Sequence, residues 1–171
     1  MCKCKQQAIK VDIVKHSPVV DLQRNGDLID LQFCGLDKVF KGNPKFSKGT
    51  GVFENTGELK YQKGDIFRVS LGVSMNIPKG KSARAYMRSS TRKNFNVMLT
   101  NHVGCLDYTI KPYNGTNDIW RAEFYALDDG IMELGDRILQ FEIIDAMPEI
   151  VFNEVNELES TDRGGYGSTG I

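Results

Sequence analysis

Residues 66–87 read IFRVSLGVSMNIPKGKSARAYM, and their alternation of side-chain types indicates the fold class. Apolar side chains alternate with polar or small ones over 66–77 and again over 82–87, which is the period of two that β-strands produce. Between these runs the segment PKG (78–80) carries residues that are typical of a turn. The stretch therefore predicts two strands joined by a tight turn.

The same period of two recurs in both directions from this stretch, and it predicts further strands at 9–14, 28–33, 137–144 and 149–155. Turn signals divide these runs at Asn25-Gly26, Asn114-Gly115, Asp129-Gly130 and Leu134-Gly135-Asp136. Many short strands with turns between them favour an all-β sandwich, jelly roll or barrel. The best helical candidate is one short turn within SSTRKNF (89–95), capped by Ser89 or Ser90.

Length and charge limit the possible classes of protein. A chain of 171 residues fits a single domain spanning residues 1–171, and 22 Lys and Arg balance 22 Asp and Glu. That balance argues against direct nucleic-acid binding, which depends on excess positive charge. The chain has no apolar run of the roughly 18 residues that a membrane span needs, and its beginning, MCKCKQQAIK, lacks the apolar centre of a signal peptide. We therefore expect a cytoplasmic protein with no membrane partner.

The cysteines give little evidence for a metal site. Cys2 and Cys4 have no matching Cys or His pair elsewhere, so a zinc site is not predicted. Cys34 and Cys105 stand in apolar, strand-like runs, where a free cysteine behaves as a small hydrophobic residue.

Two segments differ from the rest in composition. Residues 36–62 are rich in glycine and lysine, and they predict a long hairpin or loop inserted between strands. Residues 160–171 read STDRGGYGSTGI and cannot supply a core, so they predict a mobile C-terminal tail.

Two runs near the middle of the chain are chemically unusual for plain β-structure. In MRSST (87–91), an arginine beside two hydroxyls at a possible helix start suits a phosphate, although a capped helical turn explains the run equally well. In NHVGCLD (101–107), Asn101 can meet a planar base edge and Gly104 permits close approach. Asp107 follows two apolar residues, which predicts a partly desolvated acid, or else a turn residue. His102 is assigned no catalytic role.

Two further runs lie towards the C-terminus. GDRILQF (135–141) places Arg137 and Gln140 at the start of a strand, where a hairpin with a salt bridge is the alternative. RGGYGSTG (163–170) combines backbone amides that can face an anion with hydroxyls and with Tyr166, which can cover a base. A disordered tail is the alternative for this run.

The order of these runs resembles the homotrimeric dUTP pyrophosphatase (dUTPase) family. The resemblance extends from about residue 26 to the C-terminus. Its five motifs are DL (30–31), RSS (88–90), N-x-V-G-x-x-D (101–107), GDRI-x-Q (135–140) and GG-Y-GSTG (164–170). The runs RSST-x-KNF (88–95), Y-x-G-x-NDIW (113–120) and DRGG-x-GSTG (162–170) look most like a phage-type branch of this family.

The resemblance implies a β jelly roll that assembles as a trimer with active sites at the subunit interfaces, and an activity that converts dUTP to dUMP and pyrophosphate. It makes Asp107 the residue that orients and deprotonates the attacking water, with Arg88 and Gln140 as the other catalytic residues. Asp30 is implied to orient water around Mg²⁺, which the triphosphate itself mainly binds. The implied substrate-binding residues are Ser89, Ser90, Asn101, Gly104, Tyr113, Arg163, Tyr166, Gly167, Ser168 and Thr169, the last five on a tail that closes as a lid.

The chain departs from the family pattern at several points. Ile110 stands where the tyrosine that stacks on the sugar is usual, so Tyr113 is expected to take that role. Residues 36–62 have no counterpart in shorter members of the family. They are interpreted as a surface loop or as an arm that binds a protein partner.

Two alternative functions stay open at this point. A deaminase of dCTP, built on the same fold, would use Glu123 in WRAEFYAL (120–127) as its catalytic acid. A regulatory binding protein would have kept the trimer and lost the need for Asp107, Arg88 and Gln140.

Overall fold

The computed structural model describes residues 8–40, 57–107 and 113–157, with the backbone alone for residues 38–40. Thirteen strands and one short helix follow one another along this part of the chain. They are β1 Asp12–Lys15, β2 Arg24–Asn25, β3 Leu28–Gln32, β4 Leu36–Phe40, β5 Glu58–Tyr61, β6 Ile66–Ser70, β7 Val73–Asn76, β8 Lys81–Met87, α1 Thr91–Phe95, β9 Val97–Leu99, β10 Val103–Asp107, β11 Arg121–Ala126, β12 Gly130–Glu133 and β13 Arg137–Asp145. The prediction of an all-β fold with one short helix is confirmed.

Two antiparallel sheets enclose the core. One sheet has five strands in the order β10-β8-β13-β3-β2, and the other has four in the order β4-β6-β11-β9. Two-stranded sheets, β1-β7 and β12-β5, complete the described strands. The rings of Trp120 and Phe141 meet edge to face between the larger sheets, with centroids 5.2 Å apart. Burial of large apolar side chains between the two sheets supplies the main free energy of folding.

The single strand predicted over 66–77 is wrong in one respect, because Gly72 divides it. β6 belongs to the four-stranded sheet, whereas β7 pairs with β1. Gly72 has a φ of +64°, and a Cβ atom at this position would lie 2.7 Å from Sγ of Cys34. Only glycine fits both the backbone and the space, and the turn at Gly72 carries the chain from one sheet to the next.

The strand predicted over 149–155 is also wrong. The segment has no strand pairing within the described part of the chain, and it leaves Val151 85% and Phe152 91% exposed. Alternation of apolar residues is sufficient for a prediction, but a strand also needs a neighbouring backbone to pair with.

Residues 36–40 and 58–61, at the two ends of the segment predicted to be an insertion, are strands. β4 pairs with β6, and β5 pairs with β12, so the two strands belong to different sheets and do not pair with each other. Residues 41–56 lie outside the described residues.

The two cysteines of the described part of the chain differ in environment. Cys34 is buried, as predicted, and desolvation raises the pKa of its thiol to about 11 despite a hydrogen bond with Ser17. Cys105 is exposed, so its predicted role as a small hydrophobic residue is wrong. In the described ranges, no helix is long and apolar enough to cross a membrane.

Candidate active site

Strand β10 presents different residues to the two faces of the five-stranded sheet. Gly104 lies opposite Ala85 of β8, and both face the space between the sheets. Cys105 and Asp107 point the other way, because successive side chains of a strand alternate between faces. Asp107 is exposed in this single chain, so the prediction that it is partly desolvated is wrong here.

The first of two cavities beside β10 has a volume of about 380 Å³. Asn101 and Gly104 line it together with apolar residues of both sheets, which include Leu71, Ala85, Leu99 and Leu139. Its wall also includes Trp120, whose Nε1 is the only buried side-chain donor without a hydrogen-bond partner among the described residues. A buried donor in this state favours a polar ligand or water nearby. The cavity therefore combines an apolar surface with a few polar groups, as small-molecule sites do.

The second cavity has a volume of about 320 Å³ and is lined by Cys105, Leu106, Asp107, Tyr113 and Arg121. Three of these residues, Cys105, Leu106 and Arg121, also line the first cavity, so the two cavities adjoin. The Tyr113 hydroxyl donates to the carbonyl of Ile119 at 3.0 Å and accepts from Nη1 of Arg121 at 3.1 Å. These contacts hold the tyrosine in the cavity that Asp107 lines.

Glu123 lines the first cavity, but its carboxylate is already engaged. Nη2 of Arg68 lies 3.1 Å from Oε2, and the hydroxyl of Thr100 donates to Oε1 at 3.2 Å. Both carboxylate oxygens of Glu123 therefore already have partners within the chain. The deaminase alternative, which needs Glu123 as its catalytic acid, gains no support from this geometry.

Asp30 is the centre of a buried ion cluster. Its side chain is 2% exposed, with Oδ1 2.9 Å from Nε of Arg88 and Oδ2 3.3 Å from Nη1 of Arg137. Asn25 also donates to Oδ2, at 2.5 Å. Arg88 in turn donates to the carbonyl of Arg137 at 3.1 Å. The carboxylate therefore fixes two guanidinium groups beside each other.

Gln140 and the two serines lie near this cluster. Gln140 on β13 stands directly opposite Asp30 on β3, so the two side chains project to the same face of the sheet. The hydroxyl of Thr91, the first residue of α1, donates to the carbonyl of Ile138 at 2.7 Å and ties the helix to β13. The backbone amide of Thr91 donates to the carbonyl of Arg88 at 3.0 Å, so Ser89 and Ser90 lie in the turn between these two residues.

The predicted cap of α1 has the expected residue but not the expected bond. Ser90 is the N-cap residue, with φ −84° and ψ −16°, and its hydroxyl caps no helix amide within the described residues. The helical backbone of Ser90 departs from the extended conformation that capping side chains usually need.

Asp107 and Arg88 are far apart in one chain. Asp107 lies opposite Ser82 near the beginning of β8, and Arg88 follows the last residue of that strand. At about 3.3 Å per residue, the six steps between Ser82 and Arg88 separate the two groups by roughly 20 Å. One chain therefore presents two half-sites, the adjoining cavities at β10 and the arginine cluster at Asp30.

The described residues do not fit a Mg²⁺ site held by the protein. They include no group of three or more His, Cys, Asp or Glu side chains that could hold a metal ion. Both oxygens of Asp30 already contact arginines, and a dication would be repelled by those charges. The role predicted for Asp30 towards Mg²⁺-bound water stays a prediction.

Several predicted site residues lie outside the described part of the chain, namely Ile110, Arg163, Tyr166, Gly167, Ser168 and Thr169. Conversely, four residues of the site have no role predicted from the sequence, namely Asp37, Trp120, Arg121 and Arg137. Arg137 stands in the run GDRILQF and Trp120 in the run Y-x-G-x-NDIW, whereas neither Asp37 nor Arg121 belongs to one of the family motifs.

Known proteins are similar to this chain in sequence. No family model matches the chain. It is 44% identical over 136 residues to the SPbeta prophage-derived deoxyuridine 5′-triphosphate nucleotidohydrolase YosS of Bacillus subtilis, a match that covers 79% of this chain and 94% of the relative. It is also 38% identical over 108 residues to the deoxyuridine 5′-triphosphate nucleotidohydrolase of Yarrowia lipolytica, covering 60% of this chain and 64% of that protein.

Solved structures show the same fold. A mutant Staphylococcus bacteriophage 80alpha dUTPase with dUpNHpp superposes with a TM-score of 0.65 at 14% identity, covering 96% of this chain and 100% of that one. The dUTPase from Streptococcus mutans gives a TM-score of 0.57 at 16% identity, covering 82% of this chain and 98% of that one. The predicted jelly roll is confirmed by these likenesses.

Proposed function

The chain belongs to the dUTPase family, in its phage-type branch, and we propose that it hydrolyses dUTP to dUMP and pyrophosphate as follows. The observation that carries the proposal is the pair of adjoining cavities at β10. One presents Asn101 and Gly104, and the other presents Asp107 beside Tyr113. The base is assigned to the first cavity, and the sugar and the α-phosphate to the second.

Recognition of uracil uses the first cavity. Asn101 offers an amide that both donates and accepts hydrogen bonds, which matches the edge of a pyrimidine. Gly104 has no side chain, so the base can approach the backbone of β10 closely. A Cβ at Gly104 would lie 3.4 Å from Cβ of Ala85, at van der Waals contact, so a larger side chain would fill the space beside this wall.

The chemical step uses Asp107. Its exposed carboxylate is reachable by water and accepts one proton from it, while the water oxygen forms a bond to the α-phosphorus. The bond from that phosphorus to the bridging oxygen breaks, and pyrophosphate leaves with the bonding electron pair. A water held and aimed by a fixed carboxylate gains the rate advantage of a preoriented reactant.

Binding of the phosphate chain uses the other half-site, the arginine cluster at Asp30. Arg88 supplies positive charge, Ser89 and Ser90 supply hydroxyl donors, and Gln140 supplies an amide donor on the same sheet face as Asp30. Mg²⁺ would arrive on the triphosphate rather than be held by the described residues, and it would offset negative charge there.

The trimer is supported by the distance between the half-sites. Asp107 and Arg88 are roughly 20 Å apart along β8, and a neighbouring subunit that brings its own arginine cluster to β10 would complete the site. The exposed apolar residues of 149–155, such as Val151 and Phe152, also favour burial against a second copy.

The C-terminal tail is proposed as the lid. Tyr166 would stack on the uracil, Arg163, Ser168 and Thr169 would bind phosphate oxygens, and Gly167 would let the backbone approach. These residues lie outside the described part of the chain, and removal of residues 163–171 is expected to lower activity without unfolding the domain.

The remaining proposals concern location and partners. The free thiols of Cys34 and Cys105 suit a reducing compartment, which supports a cytoplasmic location. The segment 36–62 is proposed as the arm that contacts a protein partner, with a surface loop as the alternative.

The proposal is tested with the purified protein, Mg²⁺ and dUTP, UTP or dCTP in separate reactions, with pyrophosphate and ammonia both measured. Pyrophosphate from dUTP is expected, with much less from UTP. Ammonia from dCTP would identify a deaminase and make Glu123 the residue to replace. No product from any of the three nucleotides would favour the regulatory binding protein.

A further inference from the structure

Tyr113 lies in a part of the chain that has no strand to orient it. Residues 113–120 form no strand, and the segment reaches regular structure only at β11. A side chain on irregular backbone takes its orientation from the contacts of its own atoms. For Tyr113 the side chain packs against the hydrophobic core, and its hydroxyl bonds the carbonyl of Ile119 and the guanidinium of Arg121.

Arg121 is held far more firmly than Tyr113. It begins β11, a strand that pairs with β6 on one side and with β9 on the other. Its Nη1 also donates to the carbonyl of Ile119 at 3.0 Å, and its Nε lies 3.3 Å from Oδ1 of Asp37 on β4. The Asp37 side chain is 9% exposed, so this ion pair is largely shielded from solvent. A chain of contacts therefore connects β4, through β11, to the tyrosine ring.

We propose that Arg121, held by Asp37, is a positioning residue for Tyr113 and thereby sets the preference for deoxyribose over ribose. The inference rests on the proposed function, in which the second cavity holds the sugar. Exclusion of one additional hydroxyl needs a wall that does not yield, because a mobile ring can move aside to admit the larger sugar. The hydroxyl bonds of Tyr113, together with the packing of its side chain against the core, make its ring such a wall.

The test is a double-mutant cycle on sugar selectivity, defined as kcat/KM for dUTP divided by kcat/KM for UTP. Arg121→Ala removes the guanidinium, and Tyr113→Phe keeps the ring but removes the hydroxyl that the guanidinium binds. Each change is expected to lower selectivity about tenfold, within the range by which pockets discriminate a single hydroxyl. The double variant is expected to lose no more than either single variant, because both remove the same contact.

Three further variants test the support of Arg121, the need for its guanidinium group, and the specificity of the effect. Asp37→Asn weakens the support of Arg121 and is expected to lower selectivity less, by about threefold. Arg121→Lys retains a donor and is expected to recover part of the selectivity that Arg121→Ala loses. Lys60→Ala breaks an exposed ion pair with Glu58 on β5 and serves as the control, with unchanged selectivity expected.

The outcomes separate the inference from the function on which it rests. If the unaltered protein releases no pyrophosphate from dUTP, the proposed function fails, and the inference fails with it. If the unaltered protein is active but Tyr113→Phe leaves selectivity unchanged, the inference alone is overturned. Multiplicative losses in the double variant would also overturn it, because Arg121 would then act independently of the tyrosine. Tyr113→Phe retains the ring, so its result stands even where Arg121→Ala fails to fold.

Discussion

Nε of Arg88 lies 2.9 Å from Oδ1 of Asp30, and the side chain of the acid is only 2% exposed. Because Arg137 approaches the other oxygen of the same carboxylate, one buried acid compensates two arginines. The phosphate-binding half-site is therefore assembled around a residue that no substrate needs to touch.

Replacement of Asp30 tests this arrangement. Asp30→Ala leaves two guanidinium groups without their partner, and it is expected to lower the free energy of unfolding by about 3 kcal/mol. Urea denaturation at fixed protein concentration measures the change. Asp145→Ala is the control, since its side chain is 85% exposed and an ion pair of that kind contributes about 0–1 kcal/mol. Equal effects of the two substitutions would show that the Asp30 cluster contributes no more than an exposed ion pair.

Replacement of Asp107 tests the chemical step. Asp107→Asn keeps the shape of the side chain but removes its ability to accept a proton, so kcat is expected to fall by about 10²–10⁴. The fold should be unaffected, because the residue is exposed at the end of β10. Pyrophosphate release measures kcat, and native mass spectrometry measures the oligomeric state. A variant that loses its assembly instead of its turnover would identify a structural acid.

Gly72 allows the cost of crowding to be measured separately from that of backbone strain. Gly72→Ala combines a φ of +64° with a Cβ 2.7 Å from Sγ of Cys34, and it is expected to destabilise the fold by about 3 kcal/mol. Gly80 has a φ of +77° and no atom within 4 Å of the added Cβ, so Gly80→Ala isolates the backbone strain at about 1 kcal/mol. Thermal denaturation of both variants gives the difference, and a difference near zero would mean that the neighbours of Gly72 move aside freely.

Stability is expected to fall at alkaline pH because of Cys34. Burial raises the pKa of its thiol from 9.0 to about 11, so the unfolded chain loses this proton first as the pH rises. The contribution is fully present below pH 9 and is lost between pH 9 and 11, and it amounts to about 2 kcal/mol. Denaturation at a series of pH values measures the slope.

Two variants show which residue causes the fall in the free energy of unfolding with pH. Cys34→Ser removes the titrating thiol and should flatten the fall that begins at pH 9, whereas Cys105→Ser changes an exposed thiol and should not. Tyr61, whose pKa burial raises to about 12, contributes a later fall that both variants retain. An identical slope in the two variants would exclude Cys34 as its origin.

The sequence predicts several of the strands from their own pattern, but it missed β11, although the residues of that strand alternate in burial. β3, β8 and β13 alternate clearly and have long partners, so each was predicted within a few residues. The split at Gly72 was not predicted, because alternation continues through a change of sheet. The segment 149–155 shows the converse, since its alternation has no partner strand in the described part of the chain.

The candidate site was predictable where it follows a motif and not where it depends on distant contacts. The motifs identify Asp107, Arg88 and Gln140 as candidate site residues. The catalytic roles of these three residues stay predictions. The contacts of Arg121 with Asp37 and Tyr113 join residues separated by 84 and 8 positions, and no local pattern indicates either. Pairing of this kind is set by the packing of β4 against β6 and of β6 against β11, which spacing in the sequence does not encode.

Cys105 stands on the wall that both cavities share, and its thiol is exposed. The thiol of Cys34 is buried and scarcely ionised at neutral pH, so it reacts slowly with alkylating reagents. A chain in which Cys2 and Cys4 are replaced by serine would therefore offer one fast-reacting thiol at the nucleotide cavity. A fluorescent maleimide attached there would convert nucleotide occupancy into an optical signal, so that binding could be followed separately from hydrolysis.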